Sequence, residues 1–337
     1  MEPNLKTRYM GLELANPIIV GASKLTASVE GIQKAEAAGA GAVVCASLFE
    51  EQIQLEQWKM ENDIESISNV DAEIGGFFPS LEHSGPKEYL HWVKKAKASV
   101  KIPVIGSLNA VDEGSWVDYA QMIEDTGVDG LELNFFHTPG DFDKSGAEVE
   151  SDQLRVIEAV KAKIRIPLAV KLSCCYSNPL HFISRIDQLG VRAFVLFNRL
   201  FESDIDTDEI RHTTPLNLSS KGDHKLACRY AGLLFKRVKA DVCANNGFMS
   251  GRDVVRAILS GASAVQVVST LYRHRHDQIE VMLAEIRQWM TQQNLSDLNA
   301  IRGKLAEVNV NDRFIYKRAQ YVDLILRSQE LLESPAP

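Results

Sequence analysis

The chain has 337 residues, 45% of them hydrophobic, with 37 basic against 45 acidic side chains and a formal charge of -8. An acidic chain without long Lys/Arg runs is a poor partner for nucleic acid or an anionic membrane, and a small or neutral ligand suits it better. No window approaches about eighteen uninterrupted apolar residues and the start has no basic-then-apolar leader, so a cytoplasmic protein without spanning helices is expected.

In chain order, eight apolar segments predict strands. They are "NPIIVGAS" from Asn16, "GAGAVVCAS" from Gly39, "IPVIGSLN" from Ile102, "GVDGLELN" from Gly127, "IPLAVKLS" from Ile166, "GVRAFVLFN" from Gly190, "DVCANNG" from Asp241 and "GASAVQVVST" from Gly261. Four begin at a glycine that closes the preceding helix in a left-handed conformation. Three carry proline at the strand entry, where no ladder donor is needed. Helical segments are expected at 28–38, 115–126, 147–164, 179–189, 224–238, 251–260 and 277–291. Eight strands in βα alternation predict a TIM (β/α)8 barrel spanning 1–337 as one domain. An open doubly wound sheet is the alternative, but no strand runs straight into GxGxxG.

Two insertions break the rhythm, at 48–101 after strand two and at 199–223 after strand six. Both follow strand C-terminal ends, the active face of such a barrel, where long loops act as lids or binding elements. The C-terminal "LSDLNAIRGKLAEV" and "DRFIYKRAQYVDLILRSQELL" read as helices outside the barrel.

Inward positions at the strand ends define the candidate site. Strand one offers Ala22 and Ser23, strand three Asn109, and strand four Asn134 with Glu132 a layer lower and His137 beyond. Strand five offers Lys171 and Ser173, strand six Asn198, strand seven Asn246 and Gly247, and strand eight Ser269 and Thr270. A lysine inside a barrel must be paired or face an anion. Glu132 would satisfy it structurally; the functional readings are a Schiff-base nucleophile or a cation balancing a cofactor's charge. "NNGFMSGRD" and "VVST" bring backbone N–H groups and hydroxyls toward a possible phosphate, with turn and N-cap chemistry as the bland alternative for Gly247 and Ser250. His137 is placed to exchange a proton near neutral pH. "HRH" at His274 to His276 reads as a solvated helix start rather than a metal site, and "DIDTDE" lacks the glycine and spacing of a calcium loop. The five cysteines, Cys45, Cys174, Cys175, Cys228 and Cys243, show no Cys-x-x-Cys spacing and read as reduced thiols.

Together "MGLELANPIIVGAS", "LELN", "VKLS" and "NNGFMSGRDVVRAILSGASAVQVVSTLY" resemble, in order and spacing, the FMN-dependent dihydroorotate dehydrogenase family. The resemblance implies an N-terminal hairpin, FMN as cofactor, oxidation of dihydroorotate to orotate in pyrimidine biosynthesis by hydride transfer to flavin N5, and a homodimer. It implies that Ala22, Ser23, Ser47, Asn109, Asn134, Lys171, Asn246, Gly247, Ser269 and Thr270 hold the cofactor. Lys171 would lie beside N1 and O2 of the flavin ring, Asn134 and Asn198 would contact substrate, and His137 would act as the base. The chain departs from the family pattern where His137 replaces the usual Cys or Ser, Pro139 an asparagine, and Ala46 a lysine; no counterpart of the family's "NSMGLPN" loop follows strand two. These departures leave room for another cyclic amide or activated carbon–carbon bond as substrate. A non-redox lyase using Lys171 is the alternative chemistry.

Overall fold

The computed structural model describes residues 2–52, 86–109, 113–136, 142–199 and 203–327. Its strands are β1 (Thr7–Tyr9), β2 (Leu12–Leu14), β3 (Ile18–Val20), β4 (Ala42–Val44), β5 (Leu48–Phe49), β6 (Val104–Asn109), β7 (Gly130–Asn134), β8 (Leu168–Leu172), β9 (Ala193–Leu196), β10 (Asp204–Asp206), β11 (Arg211–Thr213), β12 (Asp241–Ala244) and β13 (Ala264–Val267). Its helices are α1 (Val29–Ala37), α2 (Pro86–Ser99), α3 (Glu113–Glu124), α4 (Gly146–Lys163), α5 (Pro179–Gln188), α6 (His224–Leu234), α7 (Gly251–Ser260), α8 (Ser269–His274), α9 (Gln278–Gln292) and α10 (Ala319–Leu326).

Eight strands run parallel in the spatial order β4-β3-β13-β12-β9-β8-β7-β6, and a β4–β6 pairing closes the ring. This is the (β/α)8 barrel expected from the alternation. The proline entries work as their chemistry requires. Without an N–H they donate nothing, yet the carbonyls of Pro17, Pro103 and Pro167 accept from Val265, Val43 and Leu131 of neighbouring strands. The glycines closing the preceding helices, Gly39, Gly127, Gly190 and Gly261, all have positive φ, a region that excludes most side chains.

Strand parity divides the core in two. Outward residues such as Val43, Leu131, Val170 and Phe194 pack against the helices, while Ile19, Val44, Ile105, Ala169, Val195 and Cys243 fill the interior. The β1–β2 hairpin adds Tyr9, Met10 and Leu14 to that interior cluster. At Gly130 an added Cβ would meet Met10 Cε at 2.9 Å and the Pro167 carbonyl at 3.2 Å, so glycine admits the Met10 side chain there. Tyr9 is fully buried beside the Cys243 thiol, a weak acceptor, and finds no full hydrogen bond. Burial, with Cys243, Glu132 and Asp241 nearby, holds its phenol well above the usual range, so it packs as a neutral group.

Three expectations change. The polar insertion after β9 contains an antiparallel hairpin, β10–β11. Strand eight stops at Val267, and Ser269 and Thr270 open the short helix α8, because Leu271 and Tyr272 N–H turn back to the Val268 carbonyl. The first C-terminal segment is a 3-10 turn at Leu298–Ile301 followed by turns rather than an α-helix. There Gly303, Leu305 and Glu307 donate to the Ile258, Leu259 and Gly232 carbonyls at the ends of α7 and α6, so those donors are taken out of any helical ladder. The second holds a 3-10 turn at Phe314–Tyr316 and α10, and its last residues, like residues 53–85 of the first insertion, lie outside the described residues.

The plugging hairpin gives a direct test. Tyr9→Ala opens a cavity under the barrel and should cost about 3–5 kcal/mol, as large-to-small aromatic substitutions do. Tyr9→Phe removes only a poorly partnered hydroxyl and should stay within about 1 kcal/mol of the parent. Chemical denaturation of the two variants checks this; an equal, large loss in both would show that the hydroxyl rather than the ring matters.

Candidate active site

The C-terminal ends of the strands surround a cavity of about 490 Å³, within the range of small-ligand sites. Its floor is built by three interior side chains. Gln266 of β13 donates from Nε2 to Glu132 Oε2 of β7 at 2.6 Å, a bond that spans the ring because β7 and β13 stand on opposite sides of it. Lys171 of β8 lies beside this bridge, its Nζ 3.7 Å from Glu132 Oε1 and 3.5 Å from Gln266 Oε1. The ion pair compensates the buried charge, but both separations are long for hydrogen bonds, and among the described residues Glu132 Oε1 accepts none. The ammonium is therefore held in place while keeping donor capacity toward the cavity it lines. Gly21 makes room for the bridge: a Cβ there would sit 3.2 Å from Gln266 Oε1 and 2.9 Å from Val268 Cγ2.

Amides form the walls. Asn134 Oδ1 is buried and without a hydrogen-bond partner among the described residues, an acceptor open to a ligand donor. Asn198 Nδ2 donates to the Phe135 carbonyl at 3.1 Å, Asn245 Nδ2 to Phe197 at 3.0 Å and Asn246 Nδ2 to Phe197 at 2.9 Å. These bonds fix the amide planes and leave the oxygens to a ligand. On another side, the Ser47 and Ser107 hydroxyls pair at 2.8 Å, and Phe49 and Phe136 contribute apolar surface.

Hydroxyls and backbone donors gather at one end. Ser219 N–H and its hydroxyl both reach Ser269 Oγ, at 3.0 and 2.8 Å, and Gly247 N–H donates to Ser219 Oγ at 3.0 Å. Gly247 has φ +70, and a Cβ there would come within 2.7 Å of His224 N and Asp223 Cβ. The Ser219 loop is pinned by Arg199, whose guanidinium donates to the Asn217 carbonyl, to Asn217 Oδ1 at 2.6 Å and to Asp223 Oδ2 at 2.9 Å.

The structure thus brings Ala22, Ser23, Ser47, Asn134, Lys171, Asn198, Asn246, Gly247 and Ser269 to one cavity. It does not bring Asn109 or Thr270 there. Asn109 ends β6 as a buried residue off the lining, and Thr270 is fully buried with its hydroxyl toward the Met249 carbonyl, because α8 begins at Ser269, where the sequence predicts that the strand continues. Ser250 is the N-cap of α7, its Oγ accepting from Asp253 N–H, which is the bland reading of that serine. His274 ends α8, and the Arg275 and His276 carbonyls accept from Gln278 and Ile279 N–H at the start of α9, so "HRH" links two helices. His137 lies outside the described residues.

Reading the strand ends misses Gln266, Arg199, Asn217 and Ser219. Gln266 carried a signal, a polar side chain at an inward position of the apolar "AVQVV". The others lie in the insertion after β9, and no local pattern says which of its polar residues turn inward.

The residues from 4 to 290 match the family model described as dihydroorotate dehydrogenase. A Methanocaldococcus jannaschii protein named dihydroorotate dehydrogenase B (NAD(+)), catalytic subunit, is 25% identical over 308 residues, 87% of this chain and 95% of that one. The protein of the same name from Thermoplasma volcanium is 25% identical over 311 residues, 89% of this chain and 98% of that one. The chloroplastic dihydropyrimidine dehydrogenase (NADP(+)) of Arabidopsis thaliana is 23% identical over 362 aligned residues, covering 98% of this chain and 82% of its own. With a closed barrel, an interior lysine at the end of the fifth barrel strand, and a match running through nearly all of that barrel, this chain belongs to the dihydroorotate dehydrogenase family.

Proposed function

We propose that the chain is an FMN-dependent oxidoreductase acting on a carbon–carbon bond, of the dihydroorotate dehydrogenase type, with dihydroorotate as substrate and orotate as product. The observation that carries this reading is the Lys171 ammonium, held by Glu132 and Gln266 on the floor of the cavity at separations long for hydrogen bonds. The donor set suits FMN. Asn134 Oδ1 has no donor among the described residues, Lys171 has only the long approaches to Glu132 and Gln266, and the Gly247 N–H and the Ser219 and Ser269 hydroxyls, which now bond one another, are of the chemistry that takes a phosphate. When bound, FMN supplies a two-electron acceptor for the hydride leaving the substrate carbon.

The protein's own part is positional and electrostatic. Lys171 sets a fixed positive charge in the cavity floor, already oriented, so it offsets negative charge without reorganisation. The tethered amides of Asn198 and Asn246 orient a planar polar ligand, and Asn134 and Asn198 are the proposed substrate contacts. His137, carried from the sequence, takes the proton from the substrate carbon next to the hydride donor. Ala46 and Phe49 on the lining supply no charge, which supports a related cyclic amide or other activated carbon–carbon bond as the alternative substrate.

Two further parts of the reading concern its setting. Exposed Phe314, Ile315, Tyr321, Leu324 and Leu326 on the C-terminal segment support self-association as a homodimer; sedimentation of the purified chain tests it. Among the described residues no helix is long and apolar enough to cross a membrane, in keeping with a cytoplasmic enzyme.

An absorption spectrum of the purified chain, reconstituted with FMN when colourless, should show flavin bands that bleach with anaerobic dihydroorotate. Bands that persist with dihydroorotate would overturn the substrate, and absence of flavin binding together with borohydride trapping at Lys171 would overturn the oxidoreductase in favour of the Schiff-base lyase. In variants, Lys171→Ala should weaken FMN retention or slow flavin reduction, by about tenfold or more for a loss of about 1.4 kcal/mol. His137→Ala should keep FMN and lower substrate oxidation by about a hundredfold or more, the usual contribution of general-base catalysis. Parent rates in either variant would remove that residue from the mechanism.

A further inference from the structure

The five thiols of this chain live in different settings. Cys45 and Cys243 are fully buried, and burial raises the first to about 12 and the second well above the usual thiol range. Cys228 is raised to about 11 by the same cause. A thiol so far from ionising is a packing group, not a nucleophile. Cys174 and Cys175 differ. They are adjacent on the loop leaving β8 at the active end of the barrel, with Cys175 exposed, Cys174 half-buried, and the sulfurs 3.9 Å apart. The loop is held: Cys175 N–H donates to Ser173 Oγ at 3.1 Å, and Tyr176 donates to Gln153 Oε1 at 2.7 Å while its ring packs on Phe182. The backbone that carries the two thiols is therefore anchored on both sides.

We propose that Cys174 and Cys175 form a redox-responsive dithiol, a modification site that closes to a vicinal disulfide on meeting a small-molecule disulfide. The order of events follows from exposure. The Cys175 thiolate attacks the small disulfide, whose S–S bond breaks to release one thiolate and leave a mixed disulfide on Cys175. Cys174 then gives up its proton and attacks Cys175 Sγ; the second small thiol leaves, and the Cys174–Cys175 bond forms. Two protein thiols lose two electrons and two protons, and one small disulfide becomes two thiols. Burial and the neighbouring Cys175 both raise the Cys174 thiol, which leaves the first attack to the exposed Cys175.

The product is labile by construction. Adjacent Cα atoms stand about 3.8 Å apart across a trans peptide, less than the roughly 4.4–6.8 Å usual for disulfides. Strained, exposed disulfides are the readily reduced ones. Ring closure reorients the peptide between the two residues, and the bond from Cys175 N–H to Ser173 Oγ is the first contact to change. Ser173 lies two residues beyond Lys171, so the pair sits at the rim of the site without belonging to its lining.

Treatment of the full chain with oxidised glutathione, alkylation of remaining thiols and peptide mass spectrometry test this independently of the flavin reading. The expected result is a peptide carrying both cysteines that has lost two hydrogens, bears no glutathione, and reverts with dithiothreitol. Cys174→Ser should instead retain a glutathione on Cys175, and Cys175→Ser should react far more slowly. A stable glutathione adduct on wild-type Cys175, an unreacted pair, or equal modification of Cys45, Cys228 and Cys243 in the folded chain would overturn the proposal.

Discussion

A single hydrogen bond across the barrel, from Gln266 on β13 to Glu132 on β7, divides the molecule into a part that packs and a part that binds. Below it the interior is apolar, filled by Ile19, Val44, Ile105, Ala169 and Val195 with Tyr9 and Met10 from the hairpin. Above it the cavity lining mixes amides, hydroxyls and the Lys171 ammonium with apolar side chains such as Phe49, Phe136 and Leu218. The bridge can exist only because the ring closes, setting opposite strands close enough for two side chains to meet. A buried carboxylate would be costly alone; with Gln266 on one oxygen and Lys171 near the other it becomes the anchor that holds a cation under a ligand cavity.

From that floor, each wall gains its rigidity by spending one end of a polar side chain on the backbone. Asn198, Asn245 and Asn246 donate their amide nitrogens to carbonyls after β7 and β9, so their oxygens cannot wander. The Ser219 loop is longer and needs a larger device. Arg199 supplies it with three bonds to Asn217 and Asp223, which brings Ser219 to Ser269 and Gly247. Preorganised dipoles of this kind make an enzyme site out of a barrel mouth, because their orientation is already set when charge develops.

Family membership and the details of the mouth bear on different questions. The barrel goes with the family, whereas Lys171 on the floor and Ala46, Phe49 and Phe136 on the lining are particulars of this chain's cavity. Ala46, Phe49 and Phe136 share no hydrogen bond with the Lys171, Glu132 and Gln266 side chains among the described residues, so that side can change without disturbing the cation. Substrate choice and redox chemistry can thus diverge independently in this fold.

Period and punctuation along the chain determined the architecture: glycines with positive φ after helices, prolines at strand entries, and eight apolar runs each long enough for one strand. Alternation within those runs also placed Lys171, Glu132 and Asn134 inside the barrel, because strand side chains can face only two ways. What alternation could not determine was contact between strands far apart in sequence. The Gln266 bridge, the descent of Ser219 onto Gly247, and the withdrawal of Thr270 into α8 depend on which strands oppose one another and where a strand stops. The C-terminal segment makes the same point, since its helix-forming residues give their N–H groups to the ends of α6 and α7. Local preference is worth tenths of a kcal/mol to about 1 kcal/mol per residue, and only the closed tertiary structure presents the unfilled carbonyls that outweigh it.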